Sequence, residues 1–124
     1  MKVLALDYGS ARTGIAVSDP TGTLARPVGV AAKVRTPAGM ENLLATIRDE
    51  APESIVVGLP LTLRGEHGDQ ARETIAFVEG LREALDIPVE TWDERFTSSL
   101  AGGDDARAAA YILSSYLEWL ATAR

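Results

Sequence analysis

Apolar and polar residues alternate in short blocks along the first third of the chain. The segments KVLALD, TGIAVSD and LARPVGVAAKV are each bounded by turn-forming residues, a pattern typical of strands. They predict three strands, at residues 2–7, 13–19 and 24–34. Because the connections between them are short, we expect an antiparallel meander. Pro27 places the third strand at an edge or a bulge of the sheet.

Beyond residue 35, apolar residues recur at the three- and four-residue spacing of helices, and these blocks alternate with short apolar runs. Thr36-Pro37 has the residue types of a helix N-cap and first helical position. The pattern predicts helices at 37–50, 70–85 and 104–121 and strands at 53–60 and 87–93. The element order β-β-β-α-β-α-β-α makes parallel crossovers in its second half. We therefore predict an α/β fold with a mixed five-stranded sheet flanked by helices.

Composition narrows the class of protein. The chain has 124 residues, 46% of them hydrophobic, which suits one compact domain over residues 1–124. No apolar run reaches the ~18 residues of a membrane span, and no targeting segment is recognisable, so we expect a cytoplasmic protein. The absence of cysteine excludes disulfides and thiolate zinc sites. The net charge of −6 counts against a basic nucleic-acid surface, although a metal bound by carboxylates would reverse the sign locally.

Four acidic residues stand where predicted elements meet one edge of the sheet. Asp7 ends the first strand, Asp93 ends the fifth with Glu94 beside it, and Asp105 opens the last helix. The carboxyl ends of parallel strands share an edge, and the apolar helix face that Asp105 shares turns it toward the sheet. No basic partner is obvious. Such carboxylates predict a site for Mg²⁺ or Mn²⁺, and two ions about 4 Å apart would suit phosphodiester hydrolysis.

Each of these residues also has a purely structural interpretation. Taken alone, Asp7 is typical of a turn, and Asp105 is typical of a helix start that interacts with the helix dipole. Asp93 is typical of an ion pair with Arg95. The metal-site hypothesis therefore depends on the fold bringing these positions to one edge.

Four segments in order resemble the motifs of a known family: LDYGSARTGIAVSD, VVGLPLTLRGEHGDQA, DERFTS and DARAAAYIL. They resemble the YqgF (RuvX) family of small proteins with the RNase H fold, described as Holliday-junction-resolvase-like proteins or pre-rRNA nucleases. The resemblance runs from Met1 to Leu120. It implies an RNase H-like sheet whose strand-one aspartate holds metal, a role that falls on Asp7.

The resemblance also implies an activity and its residues. The implied activity is metal-dependent endonucleolytic cleavage of structured nucleic acid, either the 16S rRNA precursor or branched DNA such as a Holliday junction. The implied catalytic residues are Asp7, Asp93, Glu94 and Asp105. The implied ligands of Mg²⁺ or Mn²⁺ are Asp7, Asp93 and Asp105, with Glu94 as the alternative to Asp93. By analogy with junction-cutting enzymes, a homodimer is expected.

Substrate-binding residues are expected around the same edge. Gly9 and Gly14 allow a backbone or a phosphate to pass close to Asp7. Arg12, Arg64 and Arg95 are candidate phosphate contacts. For Arg12, the pattern favours an exposed position in the hairpin over a phosphate contact.

One segment departs from the family pattern and keeps an alternative open. Family members usually carry a longer, basic segment between DER and the last aspartate, whereas only FTSSLAGGD (96–104) stands here. This departure favours a second hypothesis, a catalytically inactive nucleic-acid-binding or ribosome-assembly module of the same fold. An actin-like ATPase would need two such domains to enclose a nucleotide. A dinucleotide-binding domain is excluded because Asp7 stands where that motif requires glycine.

Overall fold

The computed structural model describes residues 1–62, 64–96 and 105–123. The strands are β1 (Val3–Asp7), β2 (Arg12–Ser18), β3 (Ala25–Ala32), β4 (Ser54–Leu59) and β5 (Val89–Asp93). The helices are α1 (Pro37–Glu50), α2 (Asp69–Ala84) and α3 (Asp105–Thr122), and a 3-10 turn, Glu94–Phe96, follows β5. The predicted element order and fold class are confirmed. Residue 104, where the last helix is predicted to begin, lies outside the described residues.

The sheet has the order β3-β2-β1-β4-β5. The pairs β1–β2 and β2–β3 are antiparallel, as the predicted meander requires, whereas β1–β4 and β4–β5 are parallel. Leu59 pairs with Asp93 at the ends of β4 and β5, and Leu6 pairs with Val57 one residue before β1 ends. Asp7, Leu59 and Asp93 therefore finish three parallel strands on the same side, which we call the carboxyl edge.

Burial on both faces explains why β1 reads as a continuous apolar run. Leu4 and Leu6 point into a core shared with α1 and α2, where Phe77 is a central residue. Val3 and Ala5 point into a second core beneath α3. A central strand covered on both faces has no solvent side on which polar residues would be favoured. Its first polar side chain, Asp7, appears only where the strand leaves the core.

Local sequence signals act as predicted at two positions. The Thr36 hydroxyl accepts a hydrogen bond from the Gly39 N–H at 3.1 Å and caps α1, with Pro37 in the first helical position. Pro27 lies on β3, an edge strand, opposite a shift of register between Ile15 and Ala16. Proline has no N–H to donate to a ladder, so it is tolerated only where that hydrogen bond is not needed, at an edge or a bulge.

Within the described part of the chain, no helix combines the length and apolar character needed to cross a membrane.

Candidate active site

Two carboxyl groups meet at the carboxyl edge. Asp7 ends β1, and Glu94 begins the 3-10 turn after β5, so the 3-10 turn folds Glu94 back across the ends of the parallel strands. The two side chains are within reach of a hydrogen bond to each other, and both residues are half-buried. Two carboxyl groups can form such a bond only when one of them is protonated. We call these two residues the acidic pair.

The surroundings of the acidic pair keep that proton bound near neutral pH. Burial, then the charge on Asp7 and the hydrogen bond to it, raises the pKa of Glu94 to about 7. Burial also raises the pKa of Asp7; the hydrogen bond from Glu94 opposes that effect, and the charge on Asp105 adds to it. The proton belongs to the pair as a unit. A cation at this position would therefore replace a proton, as expected for a hard-cation ligand set built from oxygen.

Gly58 makes room for the acidic pair. A Cβ at this position of β4 would lie 2.6 Å from Cδ1 of Ile112 and 2.9 Å from both Cγ and Oε1 of Glu94. A side chain here would therefore displace Ile112, Glu94 or both. Sequence reasoning missed this residue, although a glycine inside the apolar run IVVGL is a recognised sign of close approach.

Asp105 reaches the same edge because the start of α3 packs directly on β2. Gly14 pairs with Asp7 in the sheet, and a Cβ on Gly14 would collide with the carbonyl of Asp105. The close approach predicted around Gly14 is thus made by the protein's own helix. The carboxylate of Asp105 lies 3.1 Å from Nε of Arg12, whose side chain is 67% exposed.

Asp93 is held by Arg95. Arg95 donates through Nε to Oδ1 at 3.0 Å, through Nη2 to Oδ2 at 2.6 Å and through its backbone N–H to Oδ1 at 2.9 Å. These hydrogen bonds, led by those of the side chain, lower the pKa of Asp93. Asp93 is thus in the ion pair that the structural interpretation describes.

The expectation that the carboxylates lack basic partners is wrong for two of the four. Arg12 faces Asp105 and Arg95 faces Asp93. The Arg95 partner is the one that the local order DER indicates, whereas Arg12 reaches the edge only through the strand pairing of β2. The carboxyl edge therefore balances its charge with two guanidinium groups and one shared proton.

The other predicted substrate-binding residues differ in what surrounds them. Arg64 is exposed in the loop between β4 and α2. A Cβ on Gly9 would collide with the carbonyl oxygen of Arg12, so the turn after β1 already requires a glycine at this position. In the described ranges, no group of three or more His, Cys, Asp or Glu side chains is arranged to hold a metal ion. The acidic pair contributes two carboxylates, and the third carboxylate, Asp105, faces Arg12.

Sequence comparison finds a matching family model and full-length relatives that share one name. A family model described as "RuvX: Holliday junction resolvase" matches residues 1–119. A protein from Rubrobacter xylanophilus named "Putative pre-16S rRNA nuclease" is 40% identical over 131 positions, covering 94% of this chain and 92% of the relative. A protein of the same name from a Sulfurihydrogenibium species is 40% identical over 134 positions, covering 96% and 91%. Both alignments are longer than the 124 residues of the chain, so these relatives contain residues without a counterpart here.

Structural comparison identifies the same fold. Thermus thermophilus RuvC in complex with a Holliday junction substrate superposes with a TM-score of 0.65 at 16% identity, covering 98% of this chain and 96% of that one. The fowlpox virus resolvase in complex with Holliday junction DNA gives a TM-score of 0.63 at 12% identity, covering 97% and 99%. At these identities the likeness shows the RNase H-like fold of the resolvases.

The family model, the relatives and the four sequence motifs agree over nearly the whole chain. The resemblance recognised from the motifs is confirmed. The chain belongs to the RuvX family.

Proposed function

We propose that this protein is a metal-dependent nuclease that hydrolyses phosphodiester bonds in structured nucleic acid. The observation that carries the proposal is the acidic pair, Asp7 and Glu94, held half-buried at the carboxyl edge of the parallel strands. Ligands of α/β sheets bind at this edge. The names of the relatives support the 16S rRNA precursor as substrate, and the structural neighbours support a branched DNA junction.

The residues assigned to the metal are Asp7, Glu94 and Asp105. Of the two alternatives at the end of β5, Glu94 is assigned because the oxygens of Asp93 already accept hydrogen bonds from Arg95. A divalent ion, Mg²⁺ or Mn²⁺, supplies Lewis-acid stabilisation of the charge that develops on the phosphodiester. The acidic pair suits such an ion, since its carboxylate oxygens otherwise share a proton, and Asp105 would join it only by turning from Arg12.

Arg12 connects the metal ligands to the substrate. Its guanidinium faces Asp105, yet its side chain is largely exposed and can turn toward solvent. If Asp105 bound a cation, its attraction for Arg12 would fall, and the guanidinium would be available to a phosphate of the bound nucleic acid. Arg64, exposed on the loop after β4, is a second phosphate contact.

Cleavage assays test the proposal directly. A labelled 16S rRNA precursor and a four-way DNA junction are incubated with Mg²⁺, with Mn²⁺ or with chelator. We expect metal-dependent cutting of one of them by the parent protein and by Asp86→Asn, an exposed aspartate away from the site. Asp7→Asn keeps the shape of the side chain and removes its charge, so it should abolish cutting. Cutting by Asp7→Asn at the parent rate would contradict the assignment.

Related expectations belong to the same proposal. Because all the described strands join one sheet, residues 1–124 are proposed to form a single domain. Symmetric cutting of a four-way junction would need a homodimer, which sedimentation in the presence of the junction would detect. Processing of ribosomal RNA would place the protein in the cytoplasm.

A second candidate function is a nucleic-acid-binding or ribosome-assembly module without catalysis. The observation in its favour is that no three metal-binding side chains are clustered among residues 1–62, 64–96 and 105–123, because Asp105 faces Arg12. A true metal site would stabilise the folded state on binding. Retained affinity for the rRNA precursor, together with a melting temperature that Mn²⁺ leaves unchanged, would favour the binding module.

A further inference from the structure

Asp93, Arg95 and Gly65 form a compact arrangement next to the acidic pair, and the metal ligands do not account for it. We propose that Asp93 is a positioning residue that fixes the guanidinium of Arg95 as a phosphate-binding group for the nucleic-acid substrate. This inference rests on the proposed nuclease function. It gives Asp93 a role different from that of metal ligand.

The contacts between Asp93 and Arg95 fix both the position and the plane of the guanidinium. Both oxygens of Asp93 accept hydrogen bonds from two different nitrogens of the guanidinium, at 3.0 and 2.6 Å. The backbone N–H of Arg95 donates to the same carboxylate at 2.9 Å. The side chain of Asp93 is only 16% exposed, so solvent screens this pair less than it screens a surface pair.

A second element holds the guanidinium from another side. Gly65 lies in the loop between β4 and α2 with a φ of +80°. A Cβ at Gly65 would lie 3.1 Å from Nη1, 3.3 Å from Nη2 and 3.4 Å from Cζ of Arg95. Glycine thus serves two requirements here, a left-handed backbone and close packing against the guanidinium. The loop and the strand end converge on the same charged group.

The position and chemistry of Arg95 favour a phosphate as its ligand. Arg95 follows Glu94 directly, so it lies at the carboxyl edge where the substrate would bind. The guanidinium fork matches the geometry of phosphate oxygens. A guanidinium already fixed by Asp93 loses less conformational entropy when it binds than a mobile arginine does. Asp93 therefore contributes to binding through Arg95, without touching the nucleic acid.

The test compares Asp93→Asn, Arg95→Ala and the double variant, with Asp86→Asn as a matched control. Affinity for the rRNA precursor and for the four-way junction is measured separately from cutting. We expect each single variant to weaken binding about tenfold, the effect of one charge-assisted hydrogen bond. The double variant should bind no more weakly than Arg95→Ala. In each variant, the slope of log affinity against log salt concentration should become shallower by about 0.7–0.9, because one phosphate contact is lost.

Two further readouts separate positioning from metal binding and from general folding. The Mn²⁺ concentration that gives half of the thermal stabilisation should be the same for Asp93→Asn as for the parent. Gly65→Ala, which disturbs the guanidinium from the loop side, should weaken binding in the same way. Loss of the Mn²⁺ response in Asp93→Asn, or additive effects of Asp93→Asn and Arg95→Ala, would overturn the proposal. If the parent binds but does not cut, the proposed function fails while these binding comparisons remain decisive.

Discussion

Replacing Glu94 with glutamine should change how the stability of the metal-free protein depends on pH. The folded state raises the pKa of Glu94 from its ordinary 4.5 to about 7, chiefly by burial and by the charge of Asp7. Between these values the folded chain holds a proton that the unfolded chain has released. The free energy of unfolding therefore falls as pH rises from about 4.5 through 7, and it levels off above that range.

The size of the effect follows from the same pKa values. The difference between 4.5 and about 7, at about 1.4 kcal/mol for each pH unit, sets a ceiling of about 3 kcal/mol. Glu94 is only half-buried, so solvent screens part of the interaction. We expect the parent to lose about 1–2 kcal/mol across this range. Glu94→Gln, which donates to Asp7 through its amide at every pH, should not show this loss.

Urea unfolding in chelator at several values between about pH 5 and pH 8 measures the difference. Glu83→Gln, an exposed position on α2, removes the same charge away from the site and serves as the control. The control should follow the parent, and Glu94→Gln should diverge from both as pH rises. Parallel profiles for the parent and Glu94→Gln would show that Glu94 does not keep a proton in the folded state, and the account of the acidic pair would be wrong.

Three further predictions concern the same edge. Gly58→Ala should reduce cutting by at least tenfold relative to the parent, because its Cβ would lie 2.9 Å from Glu94, while the melting temperature changes less. Cutting at the parent rate would contradict the packing argument. Arg12→Ala should lower the Mn²⁺ concentration needed for half of the thermal stabilisation, since the Arg12 guanidinium no longer competes for Asp105. The same variant should weaken nucleic-acid binding, because one phosphate contact is lost. Binding of Mn²⁺ near pH 6 should release about one proton from Asp7 and Glu94, which titration calorimetry in buffers of different ionisation enthalpy detects.

The sequence pattern is a good guide to the elements because each element is defined by short-range periodicity. The continuous apolar run of β1 predicted a strand buried on both faces, and Thr36-Pro37 predicted the start of α1. Placing Asp7 and Asp93 on the same side needed only the parallel order of the strands, which the crossover connections imply. These inferences do not depend on any single side-chain contact.

The choice between Asp93 and Glu94 is beyond such reasoning because it depends on contacts between distant segments. The 3-10 turn after β5 directs the two neighbouring carboxylates to different partners. Glu94 reaches Asp7 only because Gly58, on another strand, leaves the space open. Asp93 turns to Arg95, an arrangement that the residue order DER permits without requiring. The local pattern therefore identified the motif, whereas packing across the sheet determines the partner of each carboxylate.

The four carboxylates balance their charge in three different ways, and this difference supports the separate roles proposed for them. Asp7 and Glu94 share a proton, Asp105 faces a largely exposed arginine, and Asp93 is fixed to an arginine that a second loop also packs against. A proton and an exposed guanidinium are both exchangeable for a divalent cation, whereas the bidentate, doubly packed arginine is costly to remove. Metal binding would therefore displace the shared proton and separate Arg12 from Asp105, and it would leave the pair of Asp93 and Arg95 intact. In the proposed function, the edge would then present a cation to the scissile phosphate and a fixed guanidinium to a phosphate beside it.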